Sequence, residues 1–145
     1  MEIMIKVLLE KKKDVACWCD ASGLTPLLKA ASLNPAYNLE VIEDIICNCP
    51  QSVELSDNLG KNLLHHLVNR VTDKKRGEDL LRIYELRYLV NQQDEKGNTP
   101  LLTAIINNDI IMAELLKSKG GNLFINNKDG HNAATLIQQT GIFKV

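Results

Sequence analysis

A turn signal, Asp-x-x-Gly, recurs along this chain at a near-constant step. Asp20–Gly23, Asp57–Gly60 and Asp94–Gly97 are three copies, and Asn127–Gly130 is a weaker fourth. The glycines stand at 23, 60, 97 and 130, so the steps are 37, 37 and 33 residues. A period of this size belongs to chains built by stacking one small unit that cannot bury its apolar side alone. It points away from a single continuous core and towards a solenoid, in which each unit touches only its neighbours.

The residues after each glycine define the unit. Asp favours turn entry because its side chain bonds backbone N–H groups two residues on. Gly three residues later can take a positive φ, which most residues cannot do cheaply. Thr25 and Thr99 then stand where an N-cap oxygen is needed. Pro26 and Pro100 follow at the first helical position, where a missing N–H costs nothing. Asn62 and Asn132 fill the cap slot in the other two copies. Short apolar first helices follow, with Leu27, Leu28, Ala30 and Ala31 in one copy and Leu101, Leu102, Ala104 and Ile105 in another. Helical spacing of apolar residues predicts second helices over about Leu39–Cys47, Gly77–Leu86 and Asp109–Lys117. The charged connection Val71–Arg76 is expected to loop out. Short extended stretches lead back to each turn, at Ala16–Cys19, Val53–Ser56, Val90–Gln93 and Leu123–Asn126. Gly120-Gly121 before Asn122 predicts a helix end followed by a turn.

These residues resemble the ankyrin repeat. Asp20…Gly23-x-Thr25-Pro26-Leu27 and Asp94…Gly97-x-Thr99-Pro100-Leu101 carry the resemblance, and His65 falls at the histidine of the family's Thr-Pro-Leu-His signature. Leu28 and Leu102 replace that histidine in the two best copies. The resemblance covers about residues 2–139. More narrowly, Lys6–Lys12, Gly60–His65 and Asn91–Leu101 look like plant ankyrin proteins of the accelerated-cell-death type. The resemblance implies an all-α ankyrin-repeat solenoid of helix-turn-helix units with short hairpin turns. The expected division is one domain over 1–145: a half repeat at 1–19, repeats at 20–56, 57–93 and 94–126, and a partial repeat at 127–145.

The ends read as incomplete. Ile3–Lys12 resembles a second helix without its first, and Ala133–Gln139 a first helix without its second. Uncapped terminal repeats expose a stacking face. Ile3, Ile5, Leu8, Leu9, Leu136, Ile137, Ile142 and Phe143 are the apolar residues such ends would show. The expectation is a shortened relative or a fragment of marginal stability. The net charge of −1 gives no global pull towards nucleic acid or acidic lipid. No apolar run reaches the ~18 residues of a membrane span, and Met1–Lys6 lacks the pattern of a signal peptide. A cytoplasmic chain is expected, membrane-associated only through a partner or a longer product.

Candidate chemistry is sparse. Cys17-x-Cys19 and Cys47-x-Cys49 are two close pairs, but without the Cys-x-x-Cys spacing of a zinc knuckle, and thiols of a reducing compartment are the plainer reading. His65 and His66 are sequence neighbours, which on a helix point about 100° apart. His65 is expected to bond backbone at the turn and His66 to face the open groove. No nucleophile–base order or phosphate loop is present, so neither enzyme activity nor a cofactor is expected. Lys11–Lys13 and Lys74–Arg76 read as solvated basic clusters, with an anionic surface as the sharper alternative. Trp18 reads equally as packing between repeats or as an exposed contact residue.

A protein-binding groove is the resulting expectation, with the partner unnamed and no nucleic acid involved. Residues outside the structural frame of the repeat would set its specificity: Ala21, Ser22, Asn58, Leu59, Glu95, Lys96, Lys128 and Asp129 at the tips, and Lys29, Ser32, His66, Arg70, Thr103 and Asn107 on the first helices. Incomplete ends predict a broad, low-midpoint urea transition for the isolated chain, followed by circular dichroism. A steep transition at high urea contradicts it.

Overall fold

The computed structural model describes residues 17–33 and 35–143, with the side chains of 35–38 and 84 set aside. The expected Ile3–Lys12 helix, the Lys11–Lys13 run and nearly all of the 1–19 half repeat lie outside these residues.

Each turn closes in the same way. Asp20 Oδ1 accepts from the N–H groups of Ser22 and Leu24 at 2.9 and 3.0 Å, and Gly23 N–H donates to the Asp20 carbonyl. Asp57 Oδ1 accepts from Leu59 and Lys61, and Asp94 Oδ1 from Lys96 and Asn98, all at 2.9 Å. Asn127 does the same for Asp129 and His131 at 3.0 and 2.9 Å. An amide oxygen serves as well as a carboxylate because the turn needs an acceptor rather than a charge. The glycine that ends each turn has φ between 74° and 81°, the left-handed region that favours glycine.

One backbone bond joins each tip to the next. Asn58 N–H donates to the Ser22 carbonyl at 3.1 Å, Glu95 N–H to Leu59 at 2.8 Å, and Lys128 N–H to Lys96 at 3.0 Å. The turns therefore form a ladder with one rung per repeat, and no strand forms among the described residues.

Helices start where the caps predict. Helix α1 (Pro26–Ser32) is capped by Thr25. Helix α3 (Leu63–Leu67) is capped by Asn62, α5 (Pro100–Ile106) by Thr99 and α7 (Ala133–Thr140) by Asn132. Each cap oxygen accepts from the N–H three residues on, which satisfies one of the four N–H groups a helix start leaves open. The second helices are α2 (Pro35–Asn48), α4 (Lys74–Leu81) and α6 (Ile110–Ser118). Helices α1, α3, α5 and α7 pack in one row and α2, α4 and α6 in another. Leu27, Leu64 and Leu101, spaced one repeat apart, are wholly buried in one core cluster with Ile42, Ile45, Leu80 and Leu115.

Three sequence expectations change. Lys74–Arg76 does not loop out: it forms the first turn of α4, because Asp73 accepts from Lys75 N–H as an N-cap and Lys74 pairs with Glu114 at 3.2 Å. Gly77 lets α4 lie close to α6, since a Cβ there would sit 2.5 Å from Leu115 Cδ1. Helix α2 starts earlier than expected, at Pro35, and α4 ends earlier, at Leu81. The return Val53–Ser56 is only partly extended, because Pro50–Glu54 is a 3₁₀ helix fastened by Ser52 Oγ donating to the Cys49 carbonyl at 2.7 Å. Tyr84–Leu89, at the expected end of the second helix, is another 3₁₀ helix. Helix α4 packs chiefly on α6 of the next copy, and the 84–89 turn packs on α3 in its place.

The last helix differs from its predecessors by polarity. Thr135 and Gln138 stand one repeat after Leu102 and Ile105, which are buried. Leu136, Ile137 and Phe143, expected among the exposed apolar residues of the end, are half-buried and packed against the core. Lys117 lies over the Phe143 ring at 5.2 Å, and Gly141 ends α7 in the left-handed conformation.

His65 ties two copies together. Its Nδ1 accepts from Asn62 N–H at 3.1 Å, and its Nε2–H donates to the Asn98 carbonyl of the next turn at 2.8 Å. Burial holds its pKa below the ordinary 6.5, outweighing the Asn98 carbonyl and Asp94. A group that resists protonation only when folded contributes stability above about pH 6.5, lost as pH falls towards the folded value. Unfolding midpoints measured between pH 7 and 5 should therefore drop, and His65→Leu should remove part of the drop, leaving the share of His66. The Asn98 carbonyl keeps a second donor, Asp94 N–H at 2.9 Å, so the substitution orphans no acceptor. Gly97→Ala should lower stability by about 1–2 kcal/mol through left-handed strain, and more through contact, since its Cβ would lie 2.8 Å from Lys128 N. Gly120→Ala, with φ 96° and open space around it, carries the strain alone; equal urea midpoints for the two would contradict this.

Candidate functional site

The tips and the first helices carry the residues expected to set specificity. Ala21, Ser22, Leu59, Glu95, Lys96, Lys128 and Asp129 are exposed on the tips. Their backbones carry the ladder, and their side chains are left to solvent. Asn58 is exposed as well but is a structural joint: its Nδ2 donates to the Ala21 carbonyl at 2.9 Å, and its Oδ1 occupies the space a Cβ on Gly23 would need.

On the first helices, the positions facing this side repeat in register. Lys29, His66, Thr103 and Leu136 form one row, each a repeat after the last. The row reaches back to the turn aspartates. Lys29 Nζ lies 3.7 Å from Asp20 Oδ2, and His66 Nε2 lies 2.9 Å from Asp57 Oδ2. His66 faces the groove side only in part, because this contact draws it down onto the turn. Burial lowers the His66 pKa more than Asp57 raises it, so at neutral pH the contact is a neutral imidazole N–H donating to a carboxylate. Backbone N–H groups, Leu24 first, hold the Asp20 carboxyl below its ordinary range, with Lys29 adding to the effect. Thr103 breaks the row: its Oγ1 is buried without a hydrogen-bond partner.

The next positions along each helix complete the surface. Ser32 Oγ donates to the Lys29 carbonyl at 3.0 Å and Asn107 Nδ2 to the Thr103 carbonyl at 2.8 Å. Arg70 Nη1 donates to the Leu33 carbonyl of the preceding copy at 3.2 Å. Sequence reasoning missed two members, Leu33 and Ile106, which are 49% and 53% exposed. They are exposed where the short helices α1 and α5 stop, Leu33 in line with Arg70 and Ile106 in line with Asn69. With Leu59, 53% exposed at a tip, they give this side three apolar contact points among polar groups.

Other candidates scatter. Trp18 is 65% exposed, which favours the contact reading over packing between repeats. Cys19 and Cys47 are exposed, Cys17 half-buried and Cys49 buried in the core. Among the described residues no three His, Cys, Asp or Glu side chains gather as a metal-holding group. No described helix is long and apolar enough to cross a membrane.

Residues 96–128 match the family described as ankyrin repeat. The chain is 24% identical over 131 residues to Transcription factor MBP1 of Saccharomyces cerevisiae, across 83% of this chain and 16% of that protein. It is 26% identical over 119 residues to Transcription factor MBP1 of Kluyveromyces lactis, across 74% of this chain and 16% of that protein. The chain thus spans about a sixth of the length of these curated relatives. With an ankyrin repeat at 96–128 and the same capped turn and helix before and after it, the described chain is an all-α ankyrin-repeat stack.

Proposed function

We propose that this chain is a protein–protein interaction module that binds its partner along the tips and first helices. Ankyrin repeats generally mediate such contacts. The observation that carries the reading is the separation of roles within each copy. The turn carboxylates, caps and ladder hold the frame, while Leu33, Leu59, Lys96, Ile106 and Asn107 face solvent on one side. Apolar points set among polar groups suit a binding surface, where a few residues carry most of the energy. The resemblance of Gly60–His65 and Asn91–Leu101 to plant accelerated-cell-death-type proteins supports a signalling or defence scaffold as the setting. The name of the fungal relatives supports a part in a larger regulatory protein as the second reading.

The test is a set of surface variants against a captured partner whose cross-links are mapped. Leu59→Glu combined with Ile106→Glu should weaken binding at least about tenfold, the scale of one hot-spot contact. Glu43→Lys, exposed on α2 in the other row, should leave it unchanged. The opposite pattern would move the site to the outer helices and remove this reading.

A further inference from the structure

A second surface, away from the tips, has chemistry of its own. A cleft of about 740 Å³ opens between the two 3₁₀ helices, lined by Pro50, Gln51, Val53, Glu54, Glu85, Tyr88, Leu89 and Gln92. Val53 and Leu89 are 2% and 1% exposed and form an apolar floor. Tyr88 is 63% exposed and forms one wall. Glu54 and Glu85 come to the cleft from successive copies, and among the described residues no Lys, Arg or His lines it.

Some carboxylates of the chain are neutralised: Asp20, Asp73, Asp79 and Glu114 each have a Lys or Arg partner within 4.0 Å. Glu54 and Glu85 have none among the described residues. The aromatic wall also has an affinity already visible: the Arg87 guanidinium lies 4.8 Å from the Tyr88 ring centroid, and its Nη2 donates to the Tyr88 hydroxyl at 2.8 Å. A ring that holds a guanidinium on its surface can take the alkyl stem or head of another cation.

We infer that this cleft receives an arginine or lysine side chain from a basic segment of a protein partner. The alkyl stem lies on Val53, Leu89 and the Tyr88 ring, and the charged head sits between Glu54 and Glu85. Long basic side chains bury their stems on apolar surface and keep the head among polar groups, and this cleft offers both in order. The inference deepens the proposed interaction function by adding a charge requirement, and it rests on that reading for the partner being a protein.

The experiment uses the full 145-residue chain and a fluorescein-labelled peptide of alternating glycine and arginine, followed by anisotropy. Binding should saturate at one peptide per chain and weaken as salt is raised. Glu54→Gln combined with Glu85→Gln should weaken it about tenfold or more, the scale of losing close charge pairs, and Tyr88→Ala should weaken it by a smaller factor. Glu40→Gln combined with Glu43→Gln removes the same charge from exposed positions on α2 and should leave binding within a factor of two. Equal weakening by both pairs, which is attraction to net charge alone, would overturn the inference, as would no binding or no effect of the cleft pair. Circular dichroism of each variant confirms that the fold is kept. The Leu59→Glu and Ile106→Glu variant should bind the peptide as the parent does, so this test and the tip-surface test fail independently.

Discussion

A single carboxylate or amide oxygen holding two backbone N–H groups is the contact on which the stack depends. In every copy it bends the chain so that a left-handed glycine can follow, and that bend aims the next residues at a helix cap. The tip carbonyl released by the bend points at the following copy, where one N–H meets it. Translation from copy to copy is therefore set at the turn, and the leucines between the helix rows fill the spacing that the turn imposes. Asn127 shows that geometry outranks charge here, because it makes the same turn without a carboxylate and spends its amide on Asn98 Oδ1 at 2.9 Å.

Much of this was legible because it is local. Asp-x-x-Gly, Thr-Pro and the cap asparagines act within four residues, and each turned out to do what its spacing implies. The second helices were harder. Their course depends on contacts that lie in another copy, such as Glu114 across from Lys74 and Leu115 against Gly77. A run of Lys-Lys-Arg reads as loop when its counter-charge is 40 positions away. The Val53–Ser56 return differs because Pro50 and the Ser52 hydroxyl tighten its start into a 3₁₀ turn.

The candidate surface was legible in outline and not in detail. Counting in steps of 37 places Lys29, His66 and Thr103 in one row, and they are. It does not reveal that His66 leans onto Asp57, that Asn58 is part of the frame, or that Leu33 and Ile106 share the surface. Those outcomes depend on side-chain reach and on where each short helix stops. The cleft between the 3₁₀ helices lay beyond sequence reasoning altogether, since its carboxylates come from segments with no repeat-equivalent pattern.

The packing of α4 on α6 changes how the stack comes apart. In an ideal linear array each copy closes on itself, and neighbours add a separable interface term. Here the outer helix of the second copy leans on the outer helix of the third, while the 84–89 turn stands beside α3. Loss of the third copy strips α4 of its main support, so opening of that copy is coupled to loosening of the second.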